Sequence, residues 1–137
     1  MDLMPIKILN TAIERILNKE MAELGITYTQ ATVIGFLNRN KDVEICQRNI
    51  EENLGLTHPT VSSILARLEE KKIIDTQQLE SDKRFKRVFL TKKSIEMYKQ
   101  IEEKISAISN CAFYGVTKEE QEHFSAVIQK VIQNVNK

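Results

Sequence analysis

The chain has 137 residues, of which 42% are hydrophobic and 28% charged, and its net charge is only +1. This balance is typical of one folded subunit and argues against a disordered chain. No apolar run approaches the roughly 20 residues that a membrane span needs, and the first five residues lack the pattern of a signal peptide. Two cysteines are too few for a disulfide framework, so we expect a cytoplasmic protein. The scarcity of glycine and proline, four and two residues, favours a mainly helical fold.

Basic residues are concentrated in the middle of the chain. Residues 57–93 contain nine Lys and Arg side chains against five Asp and Glu, a net charge of +4, so the rest of the chain carries −3. A basic centre between mildly acidic flanks is the distribution expected of a nucleic-acid-binding protein with separate assembly elements.

Three helical segments are predicted in the first part of the chain. Apolar residues at three- and four-residue spacing predict a helix over 4–24. Thr27 and Gln30 form the capping box of a second helix. After a short extended stretch at 43–45, a third helix is expected over 47–54.

A fourth helix follows closely, with Thr57 as its N-cap and Pro59 in its first turn. Gly55 is suited to the left-handed residue that ends the third helix, and only residues 54–57 separate the two helices. The fourth helix should face the core with its apolar side chains, which are Val61, Ile64, Leu65 and Leu68. Two helices with such a short connection predict a helix-turn-helix.

The pattern then changes to two short strands, over 73–79 and 86–90, with a charged tip at 80–85 between them. A β-hairpin directly after a helix-turn-helix is a wing. Thr91 is expected to cap a fifth helix that extends to about residue 112.

Both ends of the chain carry helices with broad apolar faces, and the last helix opens with a capping box of Thr117 and Glu120. These faces are larger than one small core needs, so we expect them to interlock with a second copy of the chain. The alternative is that they pack on their own domain. The predicted fold class is therefore mainly α with a minor β part. Residues 1–137 form a single subunit, in which a winged helix-turn-helix core at 27–91 lies between dimerisation helices at 4–24 and 92–135.

The chain resembles the multiple-antibiotic-resistance regulator (MarR) family of bacterial winged-helix transcription factors. The resemblance follows the order of elements along nearly the whole chain and is most specific in LGLTHPTVS at 54–62, LEEK at 68–71, DKR at 82–84 and LT at 90–91. It implies a homodimer, more often a repressor, that binds a pseudo-palindromic operator and responds to a small-molecule effector of unknown identity. Two positions depart from the family pattern, which has Gly where Lys72 stands and favours Gly near Ser94. A left-handed backbone at Lys72 would cost roughly 1 kcal/mol.

The side chains of the fourth helix that face away from the core are candidates for reading DNA in the major groove. Short donors and acceptors near a helix N-terminus meet base edges and phosphates there. The candidates on this helix are His58, Pro59, Thr60, Ser62, Ser63 and Arg67. The alternative is an ordinary solvated helix face.

The wing adds four basic candidates for the phosphate backbone or a narrow minor groove: Lys83, Arg84, Lys86 and Arg87. The family resemblance implies that Asp82 supports the turn while Arg84 reaches DNA. An arginine held by a carboxylate loses less conformational entropy on binding than a free lysine does. The alternative is a charged tip that keeps the hairpin soluble.

Cys46 is a candidate redox-sensing thiol because Arg48 is near it in sequence, whereas Cys111 has apolar neighbours and is expected to be buried. We predict no metal site, because the two histidines, His58 and His123, lie far apart without a zinc-ligand spacing. The family resemblance implies that an effector would lie between the dimerisation helices and the winged core. Residues that could line such a crevice, or equally belong to the core, are Met21, Tyr28, Phe36, Met97 and Tyr98.

These observations predict a sequence-specific transcriptional regulator that binds double-stranded DNA. No nucleophile–base arrangement, glycine-rich phosphate loop or paired acidic motif indicates an enzyme or a cofactor. The alternative is a winged-helix module for protein–protein assembly without DNA-binding activity. The charge of +4 over 57–93 and the presence of Arg84 argue against that alternative.

Overall fold

The structure is a computed structural model that describes residues 1–82 and 84–137. Over these residues the chain forms six helices and two strands. In chain order they are α1 (Met4–Ala22), α2 (Tyr28–Arg39), α3 (Gln47–Leu54), α4 (His58–Glu70), β1 (Ile74–Gln78), β2 (Lys86–Leu90), α5 (Lys93–Ala112) and α6 (Lys118–Val135). The mainly helical winged-helix fold predicted from the sequence is confirmed. No helix in the described part of the chain is long and apolar enough to cross a membrane.

Three helices begin at the predicted threonine N-caps. The Thr27 hydroxyl accepts the Gln30 N–H, and Gln30 Oε1 accepts the Thr27 N–H, each at 3.1 Å. Thr117 and Glu120 form the same reciprocal pair at the start of α6, and Thr57 caps α4. Because these caps satisfy N–H groups that a helix leaves without partners, they fix where α2, α4 and α6 begin.

The turn between α3 and α4 depends on one glycine. Gly55 has a φ of 64°, in the left-handed region, and the N–H of Leu56 donates to the Glu51 carbonyl at 3.1 Å. A residue with a Cβ is strained in this conformation, so glycine allows α3 to end and α4 to begin at His58 within three residues. The helix-turn-helix therefore has a short connection that limits how α4 can be oriented against α3.

The two strands form the antiparallel hairpin of the wing, with Ile74 opposite Leu90 and Gln78 opposite Lys86. The extended stretch predicted at 43–45 does not become a third strand. The end of this stretch contacts β2. There the Val88 N–H donates to the Ile45 carbonyl at 2.7 Å, and the next residue, Cys46, forms a single bridge with Arg87. This contact ties the start of α3 to the wing.

The core of the winged region lies between α2, α3, α4 and the hairpin. α4 buries the four apolar side chains predicted for it, which are Val61, Ile64, Leu65 and Leu68. They pack in one cluster with Ile34, Ile50, Ile74 and Val88. Each such burial contributes roughly 1.5–3 kcal/mol relative to exposure, so this cluster fixes α4 and leaves its polar side outward.

The corner between α4 and β1 is held by side chains from the segment after β2. Lys72 has a φ of 61°, in the left-handed region. The Thr91 hydroxyl donates to the Lys72 carbonyl at 2.6 Å and to the Ile73 carbonyl at 3.2 Å, while Lys93 Nζ donates to the Lys71 carbonyl at 3.0 Å. The hydroxyl of Thr91 thus secures this corner instead of the predicted cap of α5.

Contact density divides the chain into two compact units, Met1–Ile105 and Ser106–Lys137. In the first unit, α1 buries only Leu17 and Met21. The large apolar side chains that α1 leaves exposed are Met4, Ile6, Ile8, Leu9 and Ile16. The contact with a second copy expected for this face stays a prediction.

In the second unit, the rings of Phe113 and Phe124 meet edge to face with their centroids 6.1 Å apart. No residue of α6 is buried. Its exposed large apolar side chains are Phe124, Val127, Ile128, Val131, Ile132 and Val135. This helix, too, presents an apolar stripe that its own unit does not cover.

Candidate nucleic-acid interface

The outer face of α4 presents short polar side chains to solvent. Pro59, Thr60, Ser63 and Arg67 are all exposed, on the side of the helix opposite its buried residues. The first turn also has backbone N–H groups that attract an anion such as phosphate. This part of α4 therefore offers both kinds of contact that major-groove readers make, to bases and to the backbone.

The other two α4 candidates, His58 and Ser62, have polar atoms that are engaged by α3. Gln47 Nε2 donates to the Ser62 hydroxyl oxygen at 2.7 Å and to the His58 carbonyl at 3.3 Å. Glu51 Oε2 lies 2.9 Å from His58 Nδ1. We call these four residues, Gln47, Glu51, His58 and Ser62, the α3–α4 cluster.

Sequence analysis missed Gln47 and Glu51, which lie on α3 and not on the helix expected to read DNA. The signal that points to them is their spacing of four residues, which places both on one face of α3. A connection as short as the one at Gly55 then brings that face against the start of α4. Two polar residues four positions apart, just before the turn of a helix-turn-helix, are therefore candidates for hydrogen bonds to the start of the second helix.

Arg84 is held against Asp82 at the wing tip. Its Nε donates to Asp82 Oδ1 at 3.0 Å, its Nη2 donates to Oδ2 at 2.9 Å, and its backbone N–H donates to Oδ1 at 3.1 Å. The guanidinium carbon also lies 5.8 Å from the centroid of the Phe85 ring. The Arg84 side chain is nevertheless 84% exposed, so its remaining N–H groups are available to a partner.

This contact keeps both groups charged. The Arg84 guanidinium, and then the Arg84 backbone N–H, lower the pKa of Asp82 below its ordinary value. The carboxylate in turn raises the pKa of Arg84. The wing tip therefore carries an oriented cation throughout the physiological pH range.

A groove of about 650 Å³ lies between α4 and the wing. Its walls include the α3–α4 cluster on one side and the wing tip on the other. The charged side chains that line it, apart from the histidine, are Arg48, Glu51, Glu69, Arg84 and Lys86. Two of the α4 candidates, His58 and Ser62, thus line the same groove as the wing candidates Arg84 and Lys86.

The remaining wing candidates differ in their surroundings. Lys86 is exposed and lines the groove. Arg87 is half-buried, with its guanidinium carbon 5.4 Å from the centroid of the Phe89 ring and its Nε buried without a hydrogen-bond partner among the described residues. Lys83, also predicted to bind DNA, lies outside the described residues. Arg84 and Lys86 are accordingly the described wing residues best placed to meet DNA.

The two cysteines have different environments. Cys46 is half-buried, and both its N–H and its thiol donate to Asn49 Oδ1, at 2.9 and 3.2 Å, which gives it a role in starting α3. Cys111 is exposed, so the burial expected from its apolar neighbours is wrong. The aromatic contact beside it is made between Phe113 and Phe124 and does not cover the thiol.

No group of three or more His, Cys, Asp or Glu side chains within residues 1–82 and 84–137 is arranged to hold a metal ion. The residues considered for an effector crevice belong to the core region: Met21 and Phe36 are buried, and Tyr28, Met97 and Tyr98 pack partly buried against them. A separate depression of about 370 Å³ lies between the end of α2, β2 and the start of α5.

A model of the MarR family matches residues 24–84, from the end of the first helical region to the wing tip. Over this stretch, which is less than half of the 137 residues, the chain is similar to the MarR family. At Lys72, where the family pattern has glycine, the backbone is in the left-handed conformation that favours glycine. The second departure, Ser94, is fully buried, and its hydroxyl donates to the Thr91 carbonyl.

Solved structures with the same fold extend the MarR-family likeness to nearly the whole chain. The transcription regulator MarR from Oenococcus oeni PSU-1 is 27% identical, with 96% of this chain and 99% of that chain covered and a TM-score of 0.75. The transcriptional regulator SlyA is 26% identical, with 97% and 92% covered and a TM-score of 0.84. MepR from S. aureus, in a complex with DNA, is 22% identical, with 98% of each chain covered and a TM-score of 0.89. Nothing in these matches favours the assembly-module alternative.

Proposed function

We propose that this protein is a sequence-specific transcriptional regulator that binds double-stranded DNA through α4 and the wing, as its similarity to the MarR family suggests. The observation that carries the proposal is the arginine at the wing tip, Arg84, which is oriented by Asp82 yet largely exposed. It lies across one groove from the helix that presents the exposed polar face. The DNA complex of MepR, which has the same fold, supports this mode of binding.

The contacts divide by chemistry. α4 enters the major groove, where Thr60, Ser63 and Arg67 meet base edges and flanking phosphates. Arg84 and Lys86 contact the phosphate backbone or enter the adjacent minor groove, whose negative potential attracts arginine. Base contacts then supply the sequence preference, and the wing supplies affinity that depends on salt.

The protein acts as a homodimer on a pseudo-palindromic operator. The uncovered apolar faces of α1 and of α6 support this, because a monomer would leave both in water. A two-fold symmetric dimer presents two copies of α4 to successive major grooves, about 34 Å apart. Sedimentation equilibrium at micromolar concentration should give twice the mass of the chain, and a monomer would contradict the dimer.

Three finer features follow from the family resemblance. The regulator represses its target genes, a small-molecule effector of unknown identity releases it from DNA, and it works in the bacterial cytoplasm where its operator lies. Release requires only a change in the distance between the two α4 helices, since the half-sites are fixed in the duplex. We assign no enzymatic activity, because similar proteins of known structure are described as transcription regulators.

Selection from a pool of random duplexes tests the DNA-binding function. We expect a two-fold symmetric sequence with half-sites about one helical turn apart to be enriched, because the dimer is symmetric. Recovery of no preferred sequence by the reduced, dimeric protein would contradict the proposal. The selected duplex then serves as the operator in the experiments below.

A further inference from the structure

Two of the candidate DNA-contacting side chains of α4, His58 and Ser62, form hydrogen bonds with the neighbouring helix α3. We propose that Gln47 and Glu51 are specificity-determining positioning residues. They leave the Ser62 hydroxyl as a donor to a base and His58 Nε2 as an acceptor from a base. The inference rests on the proposed function, because it concerns how α4 reads base edges.

The proton positions in the α3–α4 cluster follow from the chemistry of two acceptors. The His58 carbonyl and the Glu51 carboxylate can only accept hydrogen bonds. The Gln47 group that lies 3.3 Å from that carbonyl must therefore be the amide NH₂. Likewise His58 Nδ1, 2.9 Å from the Glu51 carboxylate, must carry a proton. Gln47 Nε2 also lies 3.0 Å from His58 Nδ1. Because Nδ1 carries a proton in this arrangement, it does not accept a hydrogen bond from Gln47.

Ser62 becomes a donor because of this arrangement. The second N–H of Gln47 donates to the Ser62 oxygen at 2.7 Å, so the hydroxyl proton is directed away from α3. Ser62 lines the groove between α4 and the wing, where its free proton meets an acceptor. In the major groove the acceptors are guanine O6 and N7, adenine N7 and thymine O4, while cytosine offers a donor. Because Gln47 already occupies one of the two lone pairs on the Ser62 oxygen, Ser62 favours a base that accepts over cytosine at the position that it contacts.

His58 becomes an acceptor by the same logic. With its proton on Nδ1, the neutral ring has a lone pair on Nε2. Such a nitrogen accepts from adenine N6 or cytosine N4 and is mismatched to guanine O6 or thymine O4. The Glu51 side chain is only 20% exposed, so its carboxylate is shielded from solvent on the side where it holds the ring.

Without α3, neither role would be defined. A serine hydroxyl rotates freely between donating and accepting, and a neutral imidazole exchanges between two tautomers. Gln47 and Glu51 remove this ambiguity before DNA arrives. The base preference at two positions of each half-site therefore depends partly on Gln47 and Glu51, which lie on α3 and not on α4.

The tautomer of His58 is measured first, without DNA. Ring ¹⁵N chemical shifts in mildly alkaline buffer distinguish the Nδ1–H form from the Nε2–H form, and His123 on the exposed helix α6 is the internal reference. We expect the Nδ1–H form to predominate at His58 in the wild type and to lose its predominance in Glu51→Leu. An Nε2–H ring at His58 in the wild type would overturn the assignment.

Base preference is measured next, on the selected operator and its single-base variants. In Gln47→Leu, we expect discrimination at one symmetric pair of positions to fall by about fivefold to tenfold, the size of one hydrogen bond. The matched control is Asn53→Leu, which removes an amide that donates to the Asn49 carbonyl of the same helix. An equal loss of affinity on every sequence would overturn the positioning role.

A double-mutant cycle with Ser62→Ala guards against a simple loss of folding. Ser62→Ala should lose preference at the same positions, and the double variant should lose no more than either single variant, because both act through one contact to the base. Additive losses would overturn the coupling. If the wild type selects no sequence, the proposed function fails, while the tautomer measured without DNA still decides whether Glu51 holds the ring.

Discussion

Arg84 donates two side-chain hydrogen bonds to Asp82, from Nε to Oδ1 at 3.0 Å and from Nη2 to Oδ2 at 2.9 Å. Two parallel bonds between a planar guanidinium and a carboxylate fix direction as well as distance. The wing therefore meets DNA with a cation that is already oriented, and part of the entropy cost of binding has been met within the protein.

Removing this cation should weaken binding without unfolding the chain. We expect Arg84→Ala to lower operator affinity by roughly tenfold to a hundredfold, because an arginine contact to DNA is worth about 1–3 kcal/mol. Titration by fluorescence anisotropy checks the affinity, and a thermal melt checks the fold. Arg39→Ala, which removes an exposed arginine at the end of α2, is the control and should bind normally. A melting temperature lowered by several degrees in Arg84→Ala would instead mark Arg84 as structural.

The Asp82 carboxyl should titrate below the ordinary aspartate pKa of about 3.9. Arg84 lowers the folded-state pKa, so the stabilisation from this pair is present above the unfolded-state pKa and is lost as pH falls through the folded-state value. Carboxyl ¹³C chemical shifts followed through an acid titration measure it. In Arg84→Ala the pKa of Asp82 should return toward its ordinary value. An ordinary pKa already in the wild type would mean that the ion pair does not form in solution.

Lys72 provides a test of backbone strain. Its φ of 61° suits glycine, the residue that the family pattern has here. Lys72→Gly should raise the free energy of unfolding by about 0.5–1 kcal/mol, because it removes the strain at a cost in unfolded-state entropy. Urea denaturation measures the change. Lys72→Ala keeps the Cβ and removes the charge, so equal stabilisation by alanine would show that charge, not strain, is responsible.

Lys104 on α5 joins α1 through two ion pairs, with Nζ 3.0 Å from Glu20 Oε2 and 2.6 Å from Glu23 Oε2. Hydrogen bonding to Glu23, then to Glu20, raises the pKa of Lys104, and Lys104 lowers the pKa of Glu23. Lys104→Met should lower the melting temperature in neutral buffer of low salt, and added salt should shrink the difference by screening.

The same pairs give that difference a pH window. The contribution of Glu23 is lost as pH falls through its lowered pKa, and the contribution of Lys104 is lost as pH rises through its raised pKa. The melting-temperature difference should therefore be largest between these limits. Lys99→Met, an exposed lysine on the same helix, is the control. An equal decrease in both variants would show that the ion pairs contribute nothing specific.

Local features of the fold could be predicted from the sequence because their causes are local. The capping box of Thr27 and Gln30, the left-handed Gly55 and the buried face of α4 each depend on residues within one or two helical turns. Periodicity and capping chemistry report such features directly. The candidate residues on α4 and the wing could also be named from the sequence, because they follow from the order of the elements and from the family resemblance.

Contacts between elements could not be predicted in this way. Gln47 bonds Ser62, which is 15 positions away, and Thr91 bonds the Lys72 carbonyl, which is 19 positions away. The local sequence pattern predicts neither hydrogen bond. The half-buried state of Arg87 has a similar origin, because its neighbour across the bridge is Cys46, at the start of α3. Tertiary packing decides which polar side chains remain available to a partner.

The most direct test of the central claim compares the affinity of the wild-type protein for the selected operator with its affinity for a scrambled duplex of the same composition, across a range of salt concentrations. We predict an operator affinity at least about a thousandfold higher, the usual margin of specific over non-specific binding. Both affinities should fall steeply with salt as phosphate counterions are released. Equal affinity for the two duplexes would contradict the claim that α4 and the wing read a DNA sequence.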